Sequence, residues 1–368
     1  MRIEIDGGVL HDTLCAATYK ARSTLPILGF ALLDATGDRV RVTTTDLEAF
    51  FAAELPAKVP MSGRICVNVE LLKAAARDGN LSLLHNADSS IMQATPKGGS
   101  KLRLPVLKAE DFPEPDEGTW QPITINPVEL ADAIRSVKYA AARSDIRAYL
   151  NCVGVVPGCV GASDGHRAAK FDIAYDGPEL PIPQSQIDGV LALLGPETKL
   201  SATLNAANNA SLLRVENGSR TLIVRLIDCR MPKYAGLFVG IEQTERRAQF
   251  DRIKLLQAVK QFSPFTGFDG TNKAMAKGAW FIVADGAAKI ESGESEENCS
   301  WALGHHEGGI RFSLCMPYLT EALAAIDTEK VSIGLMTVAG NQERLSVEPI
   351  IPGDTPAPQA HIIVGITL

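Results

Sequence analysis

Ser163, Asp164 and His166 stand within four residues in the stretch SDGHRAAKFDI, with Arg167 and Lys170 behind them. A hydroxyl nucleophile, an imidazole base and an orienting carboxylate are the parts of an acyl-transfer triad. The spacing argues against that chemistry. A serine and a base three residues apart in one turn rarely reach a shared hydrogen bond, and no GxSxG elbow accompanies them. GHHEGG (304–309) offers His305, His306 and Glu307 as metal-ligand types. Adjacent histidines on a strand point to opposite faces, so a glycine-flanked hairpin loop accounts for the string better than a metal site. No GxxxxGK[ST] phosphate loop is present. The expectation is therefore no catalytic residue, no metal and no cofactor.

The elements that must position these residues belong to a chain of 368 residues, 46% hydrophobic and 21% charged. That mixture is soluble and long enough for two or three cores. The start, MRIEIDGGVLHD, lacks an apolar signal core, and no apolar run reaches membrane-spanning length, so a cytoplasmic protein is expected. Seven cysteines are odd in number and scattered without a CxxC pair, which fits a reducing compartment. A formal net charge of -7 excludes a protein that coats nucleic acid by bulk charge, but leaves room for a basic face on an acidic body.

Self-similarity at long period organises the chain. An amphipathic helix pattern opens each third: GGVLHDTLCAATYKA at Gly7, NPVELADAIRSVKYAA at Asn126 and FDRIKLLQAVKQF at Phe250. Strand-like runs follow, turned at Gly37, Gly158 and Gly286. A second helix comes near Leu71, Ile187 and Leu319, and further strands end in KLRLPVL, RTLIVRLID and AHIIVGITL. Thr45-Asp46 and Ser163-Asp164 are equivalent in this register, so SDGH is first of all a structural position. The predicted architecture is α+β, three similar domains at 1–118, 119–245 and 246–368.

Six strings then occur in one order: RSTLPILG, TTTDLE, LPVLKAEDFP, SDIRAYLN, SDGHR and LIDCRMPKY. Together they resemble the bacterial DNA polymerase III beta subunit family, the sliding clamps, along the whole chain. The resemblance implies three DNA-clamp domains per chain, a head-to-tail homodimer closing a six-domain ring around duplex DNA, and no catalysis. Its partners would be double-stranded DNA read without sequence preference, a second copy of the chain, and the polymerase III catalytic subunit, clamp loader and repair polymerases through short peptides, with no membrane.

Basic residues on the non-core helix faces, with Arg143, Arg147 and Tyr149 beside the second opening helix, become the implied DNA contacts. They are Lys20, Arg22, Lys73 and Arg77 in the first domain, Arg135, Lys138, Arg143, Arg147 and Tyr149 in the second, and Arg252, Lys254 and Lys260 in the third. The implied peptide pocket takes Leu150, Ser163, Gly165, His166, Arg167 and Ala168 from the middle domain. Val239 and Gly240 join from the interdomain turn, and Ile362, Val364, Gly365, Ile366 and Leu368 from the final strand. Ala168 stands where the family usually has leucine, and Gly365 where it usually has proline.

Ring closure would join an edge strand of the first domain, carrying Lys101, Leu102, Arg103, Leu104 and Val106, to Pro264 and Phe265 of the partner's third domain. The acidic run Glu291, Glu294, Glu296 and Glu297 complements Lys101 and Arg103. Two rivals stand beside the replicative clamp: a divergent paralogue of mobile-element or resistance type with altered partners, and a Ser/His hydrolase, which the missing elbow disfavours.

Overall fold

The computed structural model describes residues 1–17, 24–77, 79–87, 89–115, 118–205, 209–241, 244, 246–266, 279–292, 299–305, 309–338, 342–351 and 358–364. Each third of the chain builds one set of elements in one order: strand, helix, four strands, helix, three strands. The first set is β1 (Arg2–Asp6), α1 (Gly7–Cys15), β2 (Phe30–Thr36), β3 (Arg39–Thr45), β4 (Ala49–Met61), β5 (Gly63–Asn68), α2 (Val69–Ala75), β6 (Asn80–Leu84), β7 (Ile91–Pro96) and β8 (Leu102–Leu107). The second is β9 (Trp120–Pro122), α3 (Pro127–Val137), β10 (Cys152–Val156), β11 (Cys159–Ser163), β12 (Arg167–Asp172), β13 (Leu180–Pro183), α4 (Ile187–Leu193), β14 (Lys199–Leu204), β15 (Ala210–Asn217) and β16 (Arg220–Arg225). A one-turn helix, α5 (Tyr234–Leu237), precedes the third. That set runs β17 (Arg247–Asp251), α6 (Arg252–Phe262), β18 (Ala279–Ala284), β19 (Ala287–Ser292), β20 (Cys299–His305), β21 (Ile310–Leu314), α7 (Met316–Ala324), β22 (Lys330–Val338), β23 (Gln342–Ile350) and β24 (Gln359–Val364).

Local chemistry starts and stops these elements. Asp6, Asn68 and Asp251 cap α1, α2 and α6, each side chain accepting the backbone N–H three residues on at 3.0, 3.0 and 2.9 Å. Such a cap contributes about 1 kcal/mol. The hairpins β2–β3, β10–β11 and β18–β19 turn at Gly37, Gly158 and Gly286, all at positive φ, where a Cβ would be strained. The expected helices are all present. The short strand before each opening helix and the two extra strands before each second helix were not expected.

The described residues divide into two compact units: Met1–Val128 with Ser185–Leu226, and Glu129–Gln184 with Ile227–Leu368. In the first unit a twelve-stranded sheet runs β1-β6-β7-β8-β5-β2-β3-β4-β16-β15-β14-β9. Ala49 to Ala53 of β4 pair with β16, and its far end returns to pair with β1, so the sheet of the first set continues into the second. In the second unit an eight-stranded sheet, β13-β10-β11-β12-β24-β23-β22-β17, joins the second set to the third through β12 and β24, beside a four-stranded sheet β20-β19-β18-β21. The core of this unit packs Leu255, Val259 and Phe262 of α6 against Leu319 and Leu323 of α7, with Phe250 and Phe281 edge to face at 5.6 Å.

The repeat is exact in the turns that follow β3 and β11. Thr45 Oγ1 donates to the Ala49 carbonyl at 2.7 Å, and Asp46 Oδ1 accepts the N–H groups of Glu48 and Ala49 at 3.0 and 2.8 Å. Ser163 Oγ donates to the Arg167 carbonyl at 2.8 Å, and Asp164 Oδ1 accepts from His166 and Arg167 at 2.9 and 3.1 Å. The third residue is left-handed in both, Leu47 at φ 76° and Gly165 at φ 90°.

A buried polar chain crosses from the second set to the third. The Gln359 amide nitrogen donates to the Ala325 carbonyl at 2.9 Å and to His361 Nε2 at 2.8 Å. A neutral imidazole that accepts at Nε2 must carry its proton on Nδ1, which therefore donates to the Tyr139 hydroxyl at 2.8 Å. Burial drives the His361 pKa down to about 3.

Two outcomes follow from these features. Leu47→Gly should leave stability unchanged or raise it by up to about 1 kcal/mol, whereas Gly165→Ala should cost about 1–2 kcal/mol; thermal melts that move both variants in one direction would refute the shared turn. Between pH 6.5 and about 3 the unfolded chain takes up a proton at His361 that the folded chain refuses. Stability present above that window falls as pH drops through it, by up to ~1.4 kcal/mol per pH unit from this group. Urea unfolding at neutral and mildly acid pH should show a smaller acid loss for His361→Gln than for the parent chain, and equal losses would contradict the assignment.

Candidate functional site

Arg167, the last residue of SDGHR, is only 5% exposed. Its guanidinium donates from Nε to Asp164 Oδ2 at 3.0 Å, from Nη2 to the Tyr139 carbonyl at 2.8 Å, and from Nη1 to Glu321 Oε2 on α7. It also lies over the rings of Tyr139 and Tyr318, 5.0 and 4.6 Å from their centroids. A buried guanidinium is tolerated only with its donors satisfied and its charge matched. Here four residues, Tyr139 just after α3, Asp164 of the turn, and Tyr318 and Glu321 on α7, accept three hydrogen bonds, two of them at carboxylates, and offer two ring faces. His166 stacks on Tyr318, with 6.3 Å between centroids. With Ser163 Oγ spent on the Arg167 carbonyl, the Ser–Asp–His string holds a turn and supplies no nucleophile.

The pocket residues implied by sequence gather in the second unit. Ala168 pairs with Ile362 across β12 and β24, and both join an apolar cluster with Phe238, Ile241, Met336 and Ala360. Leu150 is buried, the Val364 N–H donates to the His166 carbonyl at 2.8 Å, Val239 is 73% exposed and Gly240 turns at φ 89°. Gly365, Ile366 and Leu368 lie outside the described residues.

Arg147 belongs with this group. Its guanidinium lies so close over Gly165 that a Cβ there would meet Nη2 at 2.9 Å. It also forms a two-point bond with Asp145, at 2.9 and 3.1 Å, which lowers that carboxyl's pKa to about 2. Tyr149 stands beside it, half-buried, ahead of Leu150.

The other basic candidates divide. Lys254, Lys260, Arg77, Arg143 and Arg135 are exposed, Arg135 with Asp132 at 2.8 Å, and Lys73 and Lys138 are half-buried. Arg252 is committed internally: it donates to the Thr328 and Leu323 carbonyls at 2.7 and 3.3 Å, closing the end of α7. Lys20 and Arg22 lie outside the described residues.

Of the strand expected at an edge, Leu102–Pro105 pair with β7, and only Val106 and Leu107 pair with β5. β8 lies between β7 and β5, and Leu104 and Val106 face the core of the first unit, 3% and 9% exposed. Their alternation reports that core. Lys101, Leu102 and Arg103 are exposed. Pro264 is exposed and Phe265 is 60% exposed beside Phe262, at the rim of a cavity of about 450 Å³ shared with Lys260, Pro317 and Glu321. Glu291 pairs with Lys289, while Glu294, Glu296 and Glu297 lie outside the described residues. So do His306 and Glu307 of the GHHEGG string.

Tyr139, Tyr318, Glu321, Gln359 and His361 were not singled out from sequence. Each sits on an otherwise ordinary helix or strand pattern, and only the fold brings Tyr139 to His361 across 222 positions.

The comparisons match this geometry. Residues 8–116 match the family model for the N-terminal domain of the DNA polymerase III beta subunit. A beta sliding clamp of Pseudomonas putida KT2440 is 27% identical over 363 residues, covering 90% of this chain and 93% of the relative. The Pseudomonas aeruginosa beta sliding clamp is 25% identical over 343 residues, 86% of this chain and 88% of its own. Among solved structures, the DNA polymerase sliding clamp of Caulobacter crescentus superposes with a TM-score of 0.84 at 20% identity, covering 100% of both chains. The P. aeruginosa sliding clamp bound to griselimycin gives 0.83 at 22% identity, again covering 100% of both. Residues 8–116 thus carry the N-terminal domain pattern of the DNA polymerase III beta subunit, and the chain as a whole is similar to beta sliding clamps in sequence and shares their fold.

Proposed function

We propose that the chain works as a DNA sliding clamp: two copies, each of three domains at 1–118, 119–245 and 246–368, close head to tail around duplex DNA and keep a replicative polymerase on its template. The observation that carries this reading is the fold, shared along the whole chain with solved sliding clamps. A ring that holds by topology needs only a loose attraction for phosphate on its inner face. Exposed Lys254 and Lys260 on α6 and exposed Arg135 on α3 supply charge of that kind. Arg252, spent on α7, drops out of the contact set.

Partner docking falls to the wall formed by the SDGHR turn, the start of β12 and the described end of β24. Apolar anchors of a short peptide would seat beside Ala168 and Ile362, with Arg147 and His166 at the polar rim. Pro264 and Phe265 would carry the ring contact on the third domain, and Leu102, Lys101 and Arg103 that on the first. Polymerase III catalytic subunit, clamp loader and repair polymerases are the partner class, and a cytoplasmic site of action fits. Among the described residues no helix is long and apolar enough to cross a membrane.

A paralogue with altered partners is the second reading, favoured by the small Ala168, buried at the pocket wall where a larger side chain would fill it. Assembled on a nicked circular plasmid with its cognate clamp loader and ATP, the protein should co-elute with the plasmid and leave after linearisation. Equal retention on linear DNA, or none on the circle, would contradict the clamp. Lys254→Ala with Lys260→Ala should lower the salt slope of DNA affinity by about one per lost phosphate contact. Retention on the circle without measurable affinity for a polymerase C-terminal peptide would favour the paralogue.

A further inference from the structure

We propose that Cys152, Cys229 and Met231 form a binding site for a soft monovalent metal ion, copper(I), where the segment before α5 crosses the start of β10. The Met231 thioether sulfur lies 3.8 Å from Cys152 Sγ and 3.7 Å from Cys229 Sγ. The thioether thus stands in contact with both thiols.

The donor set selects the ion. Two thiolates and a thioether are soft ligands that suit copper(I), whereas zinc calls for four sulfur, nitrogen or oxygen donors. Among the described residues no three His, Cys, Asp or Glu side chains are grouped to hold a metal.

A second observation points into the same place. Tyr234 is 1% exposed, and its buried hydroxyl has no hydrogen-bond partner among the described residues. A Cβ on Gly154 would meet the Met231 methyl at 2.3 Å and the Tyr234 hydroxyl at 3.4 Å, and one on Gly161 would strike the Tyr234 ring at 2.4 Å. Two glycines thus make the space in which the tyrosine reaches the sulfurs. An unmet buried donor is costly. Tyr234 packs with Cys152 and Met231, and a thiolate is a stronger acceptor than a thiol, so deprotonation of the cysteines on metal binding would give the orphaned O–H a partner.

Access and placement fit this use. Cys152 is fully buried and Cys229 half-buried, which leaves one ligand at the mouth. Met231 is fixed by its backbone N–H, which donates to Glu179 at 3.0 Å. An ion here would pin the segment that carries Val239 and Gly240 to β10, beside the candidate pocket.

The test uses the full chain, reduced and handled without oxygen, titrated against copper(I) held by bicinchoninate. One copper(I) per chain should be withdrawn from the competitor, and no zinc should be taken up under the same conditions. Cys229→Ser should abolish uptake, Met231→Leu should weaken it, and Tyr234→Phe should weaken it roughly tenfold. Cys15→Ser, at an exposed thiol remote in sequence, should bind like the parent. Far-UV spectra of each variant separate loss of the site from loss of the fold. No uptake by the parent, undiminished uptake by a folded Cys229→Ser variant, or a Cys152–Cys229 disulfide in place of uptake would overturn the site.

Discussion

The buried guanidinium of Arg167 is the constraint around which the second unit is arranged. A charge that is 5% exposed must find its partners before the surrounding apolar surface can close. Those partners come from three separate elements: the Asp164 turn, the carbonyl and ring of Tyr139 after α3, and Tyr318 with Glu321 on α7. One side chain therefore fixes the angle between parts of the second and third element sets. The wall of β12 and β24 proposed to take a peptide is built on that fixed corner, and a preformed wall spares binding the cost of ordering it.

Comparison of the two equivalent turns explains why the two sheet crossings differ. Both are held by the same Ser/Thr and Asp bonds. In the first, Ala49 occupies the place of Arg167, and the free oxygen of Asp46 instead accepts the Gln186 amide at 3.1 Å, just before α4. In the second, the arginine reaches past its own turn to α7. Each turn is thus tied to the second helix of the next set, once by a neutral amide and once by an ion pair. The ionic version is the one beside the candidate pocket, where a removed partner would leave a buried charge unmatched.

Much of the fold was legible because it is repeated. Turn glycines at 37, 158 and 286 and the apolar periodicity of the helices recur at similar spacing, and weak signals in register make a strong one. The three-residue strand β9 was not legible, since Trp120–Pro122 carries no alternation of its own. Periodicity also reports burial without saying against what. Leu104 and Val106 alternate because they face their own core, and Arg252 looks like a surface cation until Thr328 and Leu323 are folded next to it. Of the site, the SDGHR turn and the Ala168–Ile362 wall were readable from motifs. The partners of Arg167 were not, because Tyr139, Tyr318 and Glu321 lie far from it in sequence and become its neighbours only in the fold.

The proposed ring requires that this chain close on a second copy of itself. Light scattering of the purified chain at micromolar concentration tests it most directly. The account predicts a mass near twice 39.3 kDa, held as the sample is diluted through the micromolar range. A mass of one chain at every concentration would mean that the exposed ends at Leu102 and Phe265 do not meet, and would contradict the ring.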